Sequence, residues 1–139
     1  MVEIASISER KSSYDTGAAS EFLVLSTLYR LGVNAFISLG NKKSIDIVIK
    51  ANNGFSLSVD VKSVRDYSSI PINNVKVEKN HFVVVVIYKK KFSDPTILPD
   101  FYIIPSIDIP KLKSIFKEEH RLMKGKLTKY KDDWKALQV

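Results

Sequence analysis

Two short polar motifs, Ser44-Ile45-Asp46 and Asp60-Val61-Lys62, place two carboxylates and one ammonium in neighbouring apolar segments of the chain. Side chains alternate along a β-strand, so Asp60 and Lys62 would share one face of the same strand. Paired carboxylates are good ligands for divalent cations, which prefer hard oxygen donors. A lysine beside such a pair can stabilise charge that develops during a reaction. These residue types therefore point to a divalent-cation site.

A β-hairpin is predicted around Asn53-Gly54, a dipeptide typical of tight turns, because the flanking residues alternate between apolar and polar. A two-residue loop would pair Ile47 with Asp60 and would put a carboxylate on an apolar face. A three-residue loop that starts at Asn52, with the glycine in the left-handed conformation, pairs Ile47 with Val59 instead.

The apolar pattern selects the three-residue loop, since a slip of one residue moves every side chain to the other face. In that register Asp46 lies directly opposite Asp60, and Ser44 lies opposite Lys62. Like charges directly opposite on a sheet are destabilising, and we expect a bound cation to compensate. The alternative interpretation is a hairpin with one ordinary solvated face.

A third acid, Glu21, lies on a predicted helix from Thr16 to Leu31, with Thr16 or Asp15 as its N-cap and Gly32 as its end. Helical periodicity puts Glu21 near the middle of the buried stripe and Ser20 on the opposite, polar face. An acid is almost never fully buried without a partner, so Glu21 is a functional candidate. The alternative is a glutamate that reaches solvent or pairs with a lysine.

The other segments complete an α/β fold, with a mixed central β-sheet flanked by helices in one domain of residues 1–139. Residues 1–13 have no clear period and predict an irregular, mobile basic lead-in, with an arm that lies along phosphates as the alternative. His81–Tyr88, continuously apolar and β-branched, predicts a central strand buried on both faces. The remaining predictions are a strand at Val33–Leu39, a turn at 40–43, mostly loop at 64–80, a strand at Phe101–Ile104, a basic helix at Pro110–Lys124, and a final helix at Lys131–Leu137 anchored by Trp134.

The composition is that of an ordinary globular chain of 139 residues, with a net charge of +7 and no cysteine. The positive charge favours an anionic partner such as nucleic acid. The lack of cysteine excludes disulfides and thiolate zinc sites. The sequence also has no phosphate-binding glycine motif or nucleophile elbow. We find no signal peptide and no membrane-spanning run, and expect a cytoplasmic protein.

The chain resembles the PD-(D/E)xK nuclease superfamily, which includes restriction enzymes and archaeal Holliday junction resolvases. The resemblance lies in three features: an acid on each of two paired strands, the D-x-K motif on the second strand, and a glutamate on the preceding helix. The resemblance covers Gly17 to Arg65. Ile45 stands where that motif has proline, and Asp60 stands where glutamate is commoner. The resemblance implies a restriction-endonuclease-like αβββ-(α)-β core with an extra strand and C-terminal helices.

The resemblance also implies a metal-dependent nuclease that hydrolyses DNA. Asp46, Asp60 and the Val61 carbonyl would bind Mg²⁺ or Mn²⁺. Lys62 would orient the attacking water or stabilise charge, and Glu21 would bind a second metal through water or position the nucleophile. The candidate phosphate contacts are Lys42, Lys43, Ser44 and Arg65.

The substrate and the assembly remain open at this point. The short chain favours recognition of DNA structure, such as junctions or branches, and a homodimer would suit cleavage of two strands. The main alternative is a catalytically inactive nuclease-fold module that binds nucleic acid or a protein partner. A third interpretation is a purely structural subunit of a larger complex.

Overall fold

The fold is taken from a computed structural model that describes residues 2–38, 46–66 and 69–139, with the backbone alone for residues 2–11. Its helices and strands in chain order are α1 (Val2–Arg30), β1 (Ala35–Ile37), β2 (Ile47–Lys50), β3 (Ser56–Val64), β4 (Ile70–Pro71), β5 (His81–Ile87), β6 (Asp100–Pro105), α2 (Ile109–Leu112), β7 (Ser114–Phe116) and β8 (Glu119–Leu122).

Five strands form the central sheet in the order β1-β2-β3-β5-β6. The β3–β5 pair is parallel and the other three pairs are antiparallel, so the predicted mixed sheet is confirmed. The predicted strand at His81–Tyr88 is β5, an interior strand whose side chains are nearly all buried on both faces. The predicted strands at Val33–Leu39 and Phe101–Ile104 correspond to β1 and β6.

The β2–β3 hairpin has the predicted register, with Ile47 paired with Val59 and Ile49 with Leu57. Its loop is the three-residue form, because the Ala51 N–H donates to the Phe55 carbonyl at 2.8 Å across Asn52, Asn53 and Gly54. Gly54 has φ +82°, the left-handed conformation that this loop requires and that glycine adopts without strain.

The two faces of the central sheet carry separate hydrophobic cores. On one face α1 packs Val24 and Leu28 against the apolar residues of the β2–β3 hairpin and alternate residues of β5. On the other face Val83 and Val85 pack against a second sheet, which has the order β4-β8-β7. Because side chains alternate along a strand, Asp60, which pairs with Val83, belongs to the face opposite α1.

Helix α1 starts earlier than the sequence predicts. It begins at Val2, so the irregular lead-in predicted for residues 1–13 is wrong, and neither Asp15 nor Thr16 is an N-cap. Instead the Thr16 hydroxyl donates to the Ser12 carbonyl at 2.7 Å, one turn back along the same helix. A threonine whose hydroxyl bonds to the preceding turn can lie in the middle of a helix. The sequence pattern does not distinguish such a threonine from an N-cap threonine.

The end of α1 is as predicted. Gly32 has φ +77°, its N–H donates to the Tyr29 carbonyl, and the Val33 N–H donates to the Leu28 carbonyl. This pair of hydrogen bonds is a Schellman motif, which satisfies the last carbonyls of the helix and depends on a residue with positive φ. The motif turns the chain from α1 into β1.

The predicted helix at Pro110–Lys124 is wrong. Only the single turn α2 forms, and the chain then makes the β7–β8 hairpin around Lys117 and Glu118, which have φ values of 51° and 49°. The apolar residues of this segment fit a helix face only loosely. Pairing with β4 buries Leu122 completely in the second core, and this tertiary contact overrides local helix propensity.

The C-terminal helix predicted at Lys131–Leu137 is reduced to a 3₁₀ turn at Trp134–Leu137. Trp134 is nevertheless the anchor, because its ring lies 5.2 Å from the ring of Phe101 between centroids. Leu137 is fully buried in the same core as α1.

Among the helices in the described ranges, none combines the length and apolar character needed to cross a membrane.

Candidate functional site

The β2 strand is irregular where it begins, at Asp46. Ile47 is the ladder partner of Val59, yet the Asp46 N–H also donates to the Val59 carbonyl, at 2.8 Å. Two consecutive residues thus face one residue of β3, which is the arrangement of a β-bulge. Asp46 is therefore not directly opposite Asp60, as the regular register predicts, and its side chain is re-aimed by the bulge.

The bulge directs the Asp46 carboxylate into the gap between β2 and β3. The Val61 N–H donates to Asp46 Oδ2 at 2.7 Å, so the carboxylate accepts the hydrogen bond that a ladder carbonyl would otherwise take. A carboxylate in the plane of the sheet can be approached from either face. This position lets Asp46 contact groups from α1 on one face and from β3 on the other.

Asp60 is almost completely buried, with 2% of its surface exposed. The Lys62 ammonium lies 3.5 Å from its Oδ2 atom, yet Oδ2 has no hydrogen-bond partner among the described residues. Burial raises the pKa of Asp60 to about 7, against the opposing effect of Lys62 and with a further increase from Asp46. A buried carboxylate with one unsatisfied oxygen is costly unless another cation joins it.

Glu21 reaches this site from α1, where it is half-buried. Burial raises the pKa of Glu21 to about 7, and a hydrogen bond to Asp46 and the charges of Asp46 and Asp60 act in the same direction. The structure therefore brings together the four residues singled out in the sequence: Glu21, Asp46, Asp60 and Lys62.

The position of Glu21 on its helix differs from the prediction in one respect. The fully packed stripe of α1 runs through Thr16, Ser20, Val24 and Leu28, so Ser20 is buried and the prediction of an exposed Ser20 is wrong. Glu21 lies beside this stripe. That position allows its carboxylate to reach the start of β2 while its outer side meets solvent.

Among the described residues, three carboxyl groups and one ammonium group meet at this site, so the acids cannot all ionise without strong repulsion. In the described part of the chain, no group of three or more His, Cys, Asp or Glu side chains is arranged to enclose a metal ion. Mg²⁺ does not need such a cage, since it is commonly bound by one or two carboxylates plus waters and substrate phosphates. Asp46 and Asp60 are sufficient donors of that kind.

The predicted phosphate contacts have different outcomes. Lys42, Lys43 and Ser44 lie outside the described residues. Arg65 is largely engaged within the fold: its Nε donates to Thr16 Oγ1 at 2.7 Å, its Nη2 donates to the Ser12 carbonyl at 3.2 Å, and its guanidinium stacks on Phe92 at 3.9 Å. A role for Arg65 in nucleic-acid binding stays a prediction.

Sequence reasoning missed a buried polar network that fixes α1 directly beside Glu21. The Ser20 hydroxyl donates to the Thr16 carbonyl at 2.6 Å and lies 2.8 Å from the Tyr88 hydroxyl, which therefore donates to it. Arg65 completes the network at Thr16. Hydroxyl residues four apart on one helix, at positions 12, 16 and 20, were the available signal.

His81 was also undervalued, because the sequence suggests only a residue at the end of a strand. Its imidazole is buried, and its Nδ1 lies 2.7 Å from Ser58 Oγ. Its Nε2 has no hydrogen-bond partner among the described residues, and burial lowers its pKa. Ser58 and His81 are ladder partners on the face of the sheet that carries Asp60.

Among solved structures, this chain is similar to a bacterial homing endonuclease, I-Ssp6803I, with a TM-score of 0.58 and 19% sequence identity. The similarity spans 88% of this chain and 89% of the other. No protein-family model and no curated protein sequence matches the chain. At this identity the similarity establishes a shared fold, and the fold is that of an endonuclease-like α/β domain.

Proposed function

We propose that the protein is a divalent-metal-dependent nuclease of the PD-(D/E)xK type that hydrolyses DNA phosphodiester bonds. The observation that carries the proposal is the convergence of Glu21, Asp46, Asp60 and Lys62 where β2 begins beside the central strand β3 of an endonuclease-like sheet. The similarity in fold to a homing endonuclease supports it independently of these four side chains.

The donor set fits Mg²⁺ or Mn²⁺. Asp60 Oδ2 is buried and unpartnered among the described residues, and Asp46 lies in the adjoining gap between strands. In an extended strand the N–H and C=O of one residue point to the same side, so the Val61 carbonyl faces the side on which its N–H binds Asp46. These hard oxygens suit either ion. When bound, the cation would polarise the scissile phosphate and acidify a water molecule.

Lys62 and Glu21 would supply the remaining contacts. The Lys62 side chain is 27% exposed, and its ammonium lies 3.5 Å from Asp60. It can therefore donate a hydrogen bond to a phosphoryl oxygen as negative charge builds there. Glu21 approaches from the helix side, where its carboxyl can hold and orient the attacking water.

The proposal is tested by incubating supercoiled and branched DNA with the protein in Mg²⁺, in Mn²⁺ and in EDTA. We expect cleavage in either metal and none in EDTA, with activity lost in Asp60→Asn. The matched control is Asp133→Asn, which removes a carboxylate from an exposed position. Wild-type protein that binds neither metal, even with DNA present, would contradict the proposal and favour the inactive binding module.

We further infer that the substrate is recognised by its structure, such as a junction or a branch, because most of the described residues belong to the two packed sheets and α1. Faster cleavage of junctions or branched duplexes than of linear duplex would support this inference. A homodimer, which would allow paired cuts, stays a prediction that sedimentation can test.

A further inference from the structure

A cluster of three lysines lies away from the acidic site, gathered around Asp100 at the start of β6. The Lys89 ammonium lies 3.1 Å from Asp100, and those of Lys124 and Lys131 each lie 3.7 Å from it. These lysines come from three separate segments of the chain, which the fold brings together. Among the described residues, three ammonium groups thus surround one carboxylate.

The cluster is accessible. The lysine side chains are 29%, 30% and 48% exposed for Lys89, Lys124 and Lys131, whereas Asp100 is only 12% exposed. Burial pushes the pKa of Asp100 upward, but the three lysines outweigh this effect and hold it below its ordinary value. The carboxylate is therefore ionised, and the three lysines around it remain partly open to solvent.

The backbone at Lys89 is itself unusual. Lys89 and Lys90 have φ values of 54° and 63°, a left-handed conformation that is unfavourable for residues other than glycine. The turn is fixed because the Lys90 N–H donates to the Arg65 carbonyl at 2.7 Å. Of these two residues Lys89 is the one whose side chain pairs with Asp100, so the cluster includes a lysine at a position that glycine would occupy without strain.

The second core covers the face of the central sheet that carries Asp60, but Lys62 and Asp100 both lie toward the same end of that sheet, near the end of β3 and at the start of β6. Asp100 pairs with Ile87, which pairs with Val64, and Val64 lies two residues beyond Lys62 on β3. Asp100 lies two strands away from Lys62 and two residues further along the strands. This displacement corresponds to about 12 Å between the Cα atoms of Lys62 and Asp100. That separation matches three to four nucleotide steps of about 3.4 Å along a duplex.

We propose that Lys89, Lys124 and Lys131 bind the phosphate backbone of duplex DNA a few nucleotides from the position that is cleaved. The inference rests on the proposed nuclease function, because it identifies a second contact for the same substrate. A row of regularly spaced phosphates can reach both the acidic site and the cluster, which a single small anion cannot do. Phosphate contacts of this kind set position and affinity without reading sequence.

The test is the salt dependence of binding to a fluorescein-labelled duplex, measured by anisotropy in EDTA so that cleavage does not interfere. We expect the triple variant K89A/K124A/K131A to bind more weakly. Its slope of log K against log salt should fall by about 2 to 3, near 0.9 for each phosphate that the variant no longer neutralises. If that variant does not fold, Lys131→Gln alone should lower the slope by about 1.

Lys111→Ala is the matched control, because it also removes one lysine from an ion pair, with Asp108 at 3.3 Å, but beyond the opposite end of β6. Its slope should equal that of the wild type. An unchanged slope in the cluster variants, with metal-dependent cleavage intact, would overturn this inference and leave the proposed function standing. Absence of both DNA binding and cleavage in the wild type would overturn both.

Polyglutamate serves as a competitor in the same assay. Because it carries charge without the spacing of a duplex, it should displace DNA poorly. If it displaces DNA as well as unlabelled duplex does, and depends on the same lysines, the cluster binds acidic polypeptides and the inference is wrong.

Discussion

Helix α1 contributes to two buried polar regions that differ in how well their atoms are satisfied. The first region contains Thr16, Ser20, Tyr88 and Arg65, and each buried polar side-chain atom of these four residues has a hydrogen-bond partner. In the region of Glu21, Asp46 and Asp60, three acids converge and Asp60 Oδ2 has no hydrogen bond within the described ranges. Ser20 and Glu21 are adjacent in the sequence, so one helix serves both regions.

The difference shows which region is complete within the polypeptide. Hydroxyls, a carbonyl and a guanidinium complement one another, so the first region fixes the helix on the sheet. Three carboxyl groups with a single lysine do not complement one another, and they require a proton or a cation. The first region is structural, and it holds Glu21 where the second region can use it.

Loss of Asp46 should produce the largest effect and separate the two regions most clearly. Asp46→Asn keeps the hydrogen bond from the Val61 N–H but removes a charge needed for the cation. We expect DNA cleavage to fall by about 10³-fold, since metal assistance contributes several kcal/mol to transition-state stabilisation. Cleavage rates at saturating metal measure this. Activity within a factor of about ten of wild type would contradict the assignment of Asp46.

The second-largest effect should be a pH dependence of the unfolding free energy that comes from the acidic region. The pKa of Asp60 is raised from 3.8 to about 7, so the native state keeps a proton that the unfolded chain releases. Stability in EDTA should therefore fall as the pH rises from about 4 to about 7, with at most about 4 kcal/mol from Asp60 and a further fall from Glu21, whose pKa is also raised to about 7. Urea unfolding at a series of pH values measures this.

Asp60→Asn should make the fall of unfolding free energy with pH smaller, because the amide cannot ionise. The part of the fall that comes from Glu21 should remain. Asp133→Asn, at an exposed position, should leave the curve as in the wild type. A wild-type protein that becomes more stable from pH 5 to pH 7 would contradict the raised pKa values.

Removal of Arg65 should weaken the structural region by a smaller amount. Arg65→Met retains much of the volume but loses the hydrogen bonds to Thr16 and Ser12 and the stacking on Phe92. Because Arg65 is only half-buried, each hydrogen bond should contribute about 0.5–1.5 kcal/mol, and with the lost stacking we expect a loss of about 2–3 kcal/mol in unfolding free energy. A loss under about 0.5 kcal/mol would show that the network does not fix the helix.

Tyr88→Phe should have the smallest effect of the four. It removes the hydroxyl near Ser20 but leaves the Ser20 bond to Thr16, so the cost should be about 1 kcal/mol, with cleavage unchanged. Tyr14→Phe is the control, because Tyr14 is 75% exposed and its substitution should be neutral. Equal stability of the two variants would mean that the buried hydroxyl contributes nothing.

Local chemistry explains which parts of the fold were predictable. The three-residue loop follows from Gly54 and the apolar alternation of β2 and β3, and the end of α1 follows from Gly32. The grouping of Asp46, Asp60 and Lys62 depended only on this hairpin. Each of these predictions rests on contacts close in sequence, which propensity and patterning report well.

The features that escaped prediction depend on contacts distant in sequence. The β7–β8 hairpin forms because β8 pairs with β4, about fifty residues earlier in the chain. The bulge at Asp46 exchanges a backbone hydrogen bond for a side-chain one, which no periodicity encodes. The partner of Ser20 is Tyr88, and nothing near Ser20 in the sequence indicates it.

The most direct test of the central claim, that the acidic region is a divalent-cation site, is calorimetric titration of Mn²⁺ at pH 7 in two buffers of different ionisation enthalpy. We predict binding with release of protons, because the raised pKa values of Glu21 and Asp60 leave protons for the cation to displace. Asp60→Asn should abolish both the heat of Mn²⁺ binding and the release of protons. Absence of binding, or binding that persists unchanged in Asp60→Asn, would contradict the account.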